Sequence, residues 1–347
     1  MKELYLCGLS MLTPLGADAA MVKAAIDVGM NSYEDCDILG PGEPAIRFSP
    51  VPAGALKIRI PSLLPGMSLP QIRLLQLAAF ALADIEPQLP KISLPLFLAG
   101  PEPYYPSAGI NQTFIKHLVK ATGVRLDFGN SRYIATGRSG VIEAIATAFK
   151  YFSASGAHYA LVGGVDSFYD IRKLGILEES ARLPGTNSFD GFVPGEGAAF
   201  LLLASPYAPE SVRKSSLLIL HEPAIVREAG HLLDNAPYTA EALAIAYKQA
   251  TATIQAPINI LYTSENGEMH YTREVTVATM RNQHKLSKNS KICRPAECFG
   301  DIGAAFAAVA IGLASVDIKT QGALATLVCA SSDGGPRGAI CLSAVKV

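Results

Sequence analysis

The sequence is short of net charge, of clustered histidine and of paired cysteine. Its 29 Lys and Arg nearly cancel its 30 Asp and Glu, leaving a formal net charge of −1 over 347 residues. That offers no electrostatic footprint for a nucleic acid or an anionic membrane surface. The densest basic stretch, residues 281–294, interleaves Lys and Arg with Asn, Gln and Ser, and reads as a solvated loop. Six cysteines (Cys7, Cys36, Cys293, Cys298, Cys329 and Cys341) form no C-x-x-C pair and no dense framework. They read as free thiols of a reducing, cytoplasmic compartment. His117, His158, His221, His231 and His284 are dispersed without ligand spacing, so neither a metal nor a cofactor is implied. No apolar helix approaches the roughly 20 residues of a membrane span, the longest being 304–316. Residues 4–19 have the apolarity of a signal-peptide core, but the charged segment before them is only Met1-Lys2-Glu3, and Pro14-Leu15-Gly16 breaks the run as a strand-to-loop junction does.

What is present is apolar mass. Half the residues are hydrophobic, enough for a large core in one big domain or two fused halves. Residues 3–9 read as a strand, 18–28 as the helix after it, and the Pro/Gly-rich stretch 40–67 as long surface loops. Residues 70–85 have helical spacing, 94–99 form a buried strand, and 111–122 an amphipathic helix. Residues 166–183 are polar and helix-capable. A Gly/Pro-dense loop at 184–197 then feeds the apolar run 198–204, a place where backbone approaches a ligand or another backbone closely. Strand and helix alternate again at 217–220, 239–251, 258–262 and 275–280.

The organising stretch is 133–167. It gives a short apolar run, a turn through Gly137-Arg138-Ser139-Gly140, a helix to about Ser153, and a second apolar run. The glycines let the backbone bend, so the helix N-terminus, with its unpaired N–H groups, points into whatever cavity lies at the strand end. Residues 298–335 repeat the unit, and Gly140 and Tyr159 are as far apart as Gly303 and Gly322. Two copies of one unit argue for a duplicated α/β fold, with halves 1–205 and 206–347 and two small-residue helices packed in a central layer.

These residues resemble a known family. The opening LYLCGLSMLTPLG is similar to the strand and loop VVITGLG-x-x-TPLG of the β-ketoacyl-acyl-carrier-protein synthases. Residues 160–166, ALVGGVD, resemble that family's AGG-x-E or AGG-x-D, and residues 190–198, DGFVPGEGA, its DGFV-x-GEGA. Gly303-Ala304-Ala305 and Gly334-Gly335 match its late GAA and GG elements, while residues 40–131 match poorly. The resemblance implies a thiolase-like, five-layered αβαβα fold with two pseudo-repeated halves. It also implies dimerisation through the strand before Thr136, which has little charge to protect its edge.

The same resemblance places the catalytic Cys at Gly137, the first His at Ser264, the second His at Gly300 or Asp301, and the gating Phe at Asp333. Condensation needs a thiolate to hold the acyl group and two imidazoles for decarboxylation and the enolate. None of these positions supplies them. Ser139 or Thr136 as replacement nucleophile would need a base, and GRSGV is not a G-x-S-x-G elbow. The segment Ser264-Glu265-Asn266-Gly267-Glu268-Met269-His270 reads either as a solvated Asn-Gly turn or as two carboxylates and an imidazole aimed at the cavity. Arg138 has Asp301 or Glu268 as prospective partners. Cys298 is an alternative thiol or a small buried hydrophobe. The expected pocket therefore comprises Thr136, Gly137, Arg138, Ser139, Ser264, Glu265, Glu268, His270, Cys298, Asp301, Asp333, Gly334 and Gly335.

Three functions are open. The chain is a non-condensing ketosynthase homologue, pairing like a chain-length factor with an active ketosynthase or self-associating to bind acyl thioesters or acyl carrier protein. Alternatively it is a divergent acyltransferase using Glu265, Glu268, His270, Asp301 or Cys298. The third reading is a binding protein that kept only the fold.

Overall fold

Alternation of buried and half-exposed positions along Glu3–Leu12 makes the first strand, β1, whose Leu4 and Leu6 face one core while Leu12 faces another. The computed structural model describes residues 1–38, 45–56, 60, 64–105, 109–184, 190–322 and 325–345. Further strands of the main sheet are β2 (Leu96–Ala99), β3 (Arg132–Ile134), β4 (Tyr159–Ser167), β5 (Glu196–Ala204), β6 (Leu218–His221), β7 (Ile258–Thr263), β8 (Leu286–Cys293), β9 (Thr326–Ser331) and β10 (Pro336–Ser343). Their order is β3-β2-β4-β5-β1 in the first half and β8-β7-β9-β10-β6 in the second. In each half the fifth strand in chain order runs antiparallel to the strands beside it, β10 pairing in addition with the short strand Ala224–Arg227, and the remaining pairs within each half are parallel. The halves are thus the same arrangement twice. They join where β1 pairs antiparallel with β6.

The longer helices are α1 (Ala19–Asp27), α2 (Leu69–Ile85), α3 (Gln112–Thr122), α4 (Gly140–Ser155), α5 (Ile171–Glu179), α6 (Glu241–Ala250), α7 (Met269–Arg281) and α8 (Phe306–Gln321). One face of the first half-sheet packs on α2 and α3 through Leu75, Leu82, Phe114, Leu161 and Phe200. Its other face and the inner face of the second half-sheet enclose α4 and α8 through Val162, Leu201, Ile145, Val309, Val328 and Ile340. The outer face of the second half-sheet carries α6 and α7 through Leu243, Tyr247, Val275 and Leu327. This is the expected αβαβα layering, with α4 and α8 side by side in the middle.

The duplication is closer than the sequence suggests, and its register differs. Gly137 (φ 59°) and Gly303 (φ 51°) each open a tight 3-10 turn before a central helix, and Gly156 (φ 65°) and Gly322 (φ 63°) each end one in the left-handed region. Gly137, not Gly140, is therefore the counterpart of Gly303. The strand-end contacts are reciprocal. Asp166 at the end of β4 accepts the N–H of Ala304 in the second turn (3.0 Å), and Ser332 after β9 accepts the N–H of Ser139 in the first (3.0 Å).

Four sequence expectations change. Residues 281–294 are not a loop: most of them form β8, the sheet edge beside β7, where lysines on an open edge discourage further pairing. Within 40–67, residues 46–48 pair with 34–36, and Phe48 and Val51 are fully buried, while residues 40–44, 57–59 and 61–63 lie outside the described residues. Asp166 belongs to a strand, and the helix after it starts at Ile171, capped by Asp170. The apolar helix is longer than 304–316. With its opening turn it spans Gly303–Gln321, long and apolar enough to cross a membrane, and 83% of that segment is buried inside the protein. It continues past Val316 because Asp317 is satisfied in the core by Lys23 (3.1 Å) and Tyr262 (2.5 Å). Of the loop at 184–197, residues 185–189 lie outside the described residues.

The central contact is tight enough to test. A methyl group at Gly164 on β4 would overlap the carbonyl of Ala304 and lie 2.6 Å from Val141. We expect Gly164→Ala to lower unfolding free energy in urea by about 1–3 kcal/mol through overpacking. Gly175→Ala, within α5 with open space around it, should be neutral or stabilising. Equal effects of the two substitutions would contradict the packing described.

Candidate functional site

Parallel strands deliver their carboxyl ends to one side of a sheet, where ligands of open α/β folds bind. Here β2 leads to Glu102, β3 to Thr136–Arg138, β7 to residues 264–268 and β9 to Ser332–Gly334, and Asp166 lies at the end of β4. From these strand ends Glu102, Arg138, Asn266, Glu268 and Asp333 converge with Asp301, Arg182, Tyr105 and Tyr271 into a buried polar cluster.

Asp333 is its centre. Arg138 Nη1 donates to Asp333 Oδ1 (2.6 Å), and Arg182 Nη1 donates to Oδ2 (2.8 Å). The hydroxyls of Tyr105 (2.6 Å) and Tyr271 also donate to this carboxylate. Arg138 reaches on through Nε to Asp301 Oδ2 (2.7 Å), and its guanidinium lies 4.9 Å from the Tyr271 ring centroid. Arg182 grips Glu268 with both Nε (2.7 Å) and Nη2 (2.8 Å). Asn266 Nδ2 bridges Glu268 and Asp301, 3.0 Å from each. Burial opposes the charge on Asp333, but the Arg138 and Arg182 guanidiniums outweigh it and hold the carboxyl well below the carboxylate range. Arg138 is fixed as a cation in the same way by Asp301 and Asp333.

Glu102 completes the cluster from the other side. Its oxygens accept the backbone N–H groups of Asp333 (2.9 Å) and Gly334 (2.8 Å). Its side chain lies over Gly137: a Cβ added there would sit 2.5 Å from Glu102 Cγ and Oε1. Burial first, then the charge of Asp333, pushes the Glu102 carboxyl up to about 7. The remaining void, lined by Tyr105, Phe168, Lys173 and Asp166 among others, is about 10 Å³. That is about the space of one water molecule. Lys173 beside it is paired with Asp166 (3.2 Å) and lies 3.6 Å from the Phe168 ring centroid.

Of the residues expected in the pocket, Arg138, Glu268, Asp301 and Asp333 join this cluster, Gly137 and the Gly334 N–H form its backbone wall, and Gly335 faces Arg227, Glu228 and His231 instead. Arg138 pairs with Asp301, as the sequence allowed; Glu268 goes to Arg182 instead. Thr136 donates to Glu143 (3.0 Å), and Ser139 Oγ lies 2.7 Å from Ser332 Oγ, with no base as partner. Ser264 is buried and accepts the N–H of Ser331 (2.9 Å). Three expected members lie elsewhere. Glu265 turns to Thr263 (2.8 Å) and Arg294 (3.1 Å). His270, in the first turn of α7, packs on Tyr238 at 4.4 Å, and burial, then Arg337, pushes it down to about 4. Cys298 sits in a short helix beneath Tyr33, whose hydroxyl donates to Ala296 O, and burial pushes its thiol up. The segment 264–270 is thus not a solvated turn: Glu268 and Asn266 are buried members of the network. Sequence reasoning missed Glu102, Tyr105, Arg182, Asn266 and Tyr271. Only Glu102 carried a readable sign, following Gly100-Pro101 at the end of a buried strand.

The position of Glu102 has a pH signature. Its folded pKa of about 7 lies above the ordinary 4.5, so its contribution to stability is fully present below 4.5 and lost as pH rises through 7. His270, depressed to about 4, works oppositely over part of the same range, stabilising above its ordinary value and less as pH falls. The difference between wild type and Glu102→Gln isolates the glutamate. From pH 4.5 to 7.5 the wild type should lose about 2–3 kcal/mol relative to the variant in urea unfolding. Parallel pH profiles would show that Glu102 is not held protonated by the fold.

No protein-family model matches the sequence, and no curated protein does. Solved structures do. The chain is similar to a ketosynthase bound to a hexaketide in complex with its type II acyl-carrier protein (TM-score 0.76, 16% identity, covering 99% of this chain and 100% of that one). It is also similar to an ishigamide ketosynthase/chain length factor (TM-score 0.77, 12% identity, covering 99% and 100%). A third likeness is to the module 6 ketosynthase of the bacillaene synthase from Bacillus subtilis 168 (TM-score 0.75, 15% identity, covering 99% and 72%). With the matching half-sheets and paired central helices, these likenesses give the chain the thiolase-like fold of the ketosynthases.

Proposed function

We propose that this chain is a non-condensing ketosynthase homologue of fatty acid or polyketide type metabolism, working in the cytoplasm as the partner of an active ketosynthase or as a binder of acyl carrier protein. The observation that carries this reading is the filled site. Where the resemblance puts the acyl-accepting thiol there is Gly137, and the volume a side chain would need holds Glu102. Where it puts the gating Phe there is Asp333, locked between two arginines. Ser264 and either Gly300 or Asp301 stand at the positions of the two histidines, and none of them has an imidazole to stabilise an enolate. The void of about 10 Å³ has no room for an acyl chain. The solved complexes of a ketosynthase with its carrier protein and of a ketosynthase with a chain length factor supply the precedent for either partner. Six free cysteines agree with a reducing compartment. We take residues 1–205 and 206–347 as the two halves of one compact unit.

The rival acyltransferase reading loses its candidates: Cys298 and Glu265 lie off the site, and Asp301 and Glu268 are each consumed by a guanidinium. Exposure to acyl-carrier-protein or coenzyme A thioesters should leave the intact mass unchanged. An adduct that vanished in Cys298→Ala or Ser139→Ala would falsify the non-catalytic reading.

The same reading includes a dimer, homotypic or with an active ketosynthase. Strand β3 pairs with β2 alone among the described strands and stands at the sheet edge. It carries Arg132, so it is more charged than the run before Thr136 suggested. Beside it an apolar groove of about 420 Å³ is lined by Ile110, Ile115, Phe128 and Tyr133, the kind of patch that marks an interaction surface. Light scattering at micromolar concentration should give a dimer mass, alone or with a co-encoded ketosynthase. A monomer under both conditions would rule the pairing out.

A further inference from the structure

Glu102 occupies its position as a bound ligand would. Each of its two oxygens takes a backbone N–H, from Asp333 and from Gly334. Gly137, at φ 59°, presents no side chain to the space it fills, and a Cβ there would sit 2.5 Å from Glu102 Cγ and Oε1. Burial and the charge of Asp333 oppose a negative charge there, while Arg138, itself buried, and the two N–H groups favour one, so the carboxyl is accepted with its proton below about pH 7. Glu102 itself lines the small void beside it, together with Tyr105, Phe168 and Lys173. Beyond its Cβ, Glu102 contributes a methylene and a carboxyl group, which is the skeleton of acetate.

We propose that the Asp333 and Gly334 amides, with Arg138 beside them, form a binding site for a short-chain carboxylate, and that in this chain Glu102 fills the site in cis. The step is binding alone, with no bond made or broken. An internal ligand acts at high effective concentration, so free acids do not displace it and the wild type is silent to them. The inference holds whether or not the chain partners a ketosynthase, because it rests on the cradle and its occupant.

The test uses the full chain with Glu102→Ala, which removes the acetate-shaped part of the side chain. Thermal unfolding is followed against millimolar sodium acetate, with sodium chloride holding ionic strength constant. The variant should show a saturable, acetate-specific rise in Tm of about 1–3 °C. Wild type and Glu102→Gln, whose cradles stay filled, should show none. A folded Glu102→Ala protein without that rise overturns the proposal, and so does an equal rise in wild type, which would place acetate elsewhere. Should Glu102→Ala fail to fold alone, its refolding yield is compared in acetate and in chloride. Recovery in acetate supports the site, and equal failure in both salts overturns it.

Discussion

The carboxylate of Asp333 is the constraint on which this site depends. Two guanidiniums and two phenols point at it from four separate segments, and none of them has water to fall back on. Removing charges from water costs several kcal/mol per ion, and the cost is met only where geometry and further hydrogen bonds are good. Here they are good on every side: Arg182 binds Glu268 in a two-point fork, Arg138 spans Asp333 and Asp301, and Asn266 ties the two outer carboxylates together. A network of this kind stands or falls as a unit. It joins the end of β9 in the second half to the turn after β3 in the first, so the cluster also holds the two halves in register.

That arrangement leaves the frame and the centre of the molecule resting on different interactions. The glycine turns, the reciprocal contacts of Asp166 and Ser332, and the small residues of the central helices concern packing. The space between them is filled with paired charge.

Much of the frame was legible in the sequence because it is written in local terms. Glycine spacing around positions 137 and 303, alternation in 3–12 and the DGFVPGEGA loop each constrain the backbone within a few residues. The centre was legible only in part. Arg138 and Asp301 could be paired because both lie in the glycine turns themselves. Glu102, Arg182 and Tyr271 could not, since each reaches the cluster from a segment whose own sequence says nothing of its partner. Residues 281–294 misled for a related reason: an edge strand needs pairing on one side only, so its composition can be that of a loop. Glu265 and Glu268, three positions apart, part ways because the chain turns between them at Gly267 (φ 115°).

The central helix α8 has a bearing on how the molecule is assembled. From Phe306 to Ala314 it is apolar on every side, and the helix packs on β1 and α1 from early in the chain as well as on α4 and both half-sheets. During synthesis, the inner faces of β1, β4 and α4 exist long before residues 306–321 do. They have no permanent cover until that segment arrives. Closure of the core is therefore a late event of high contact order, and the partly made chain carries its most adhesive surface in the interval.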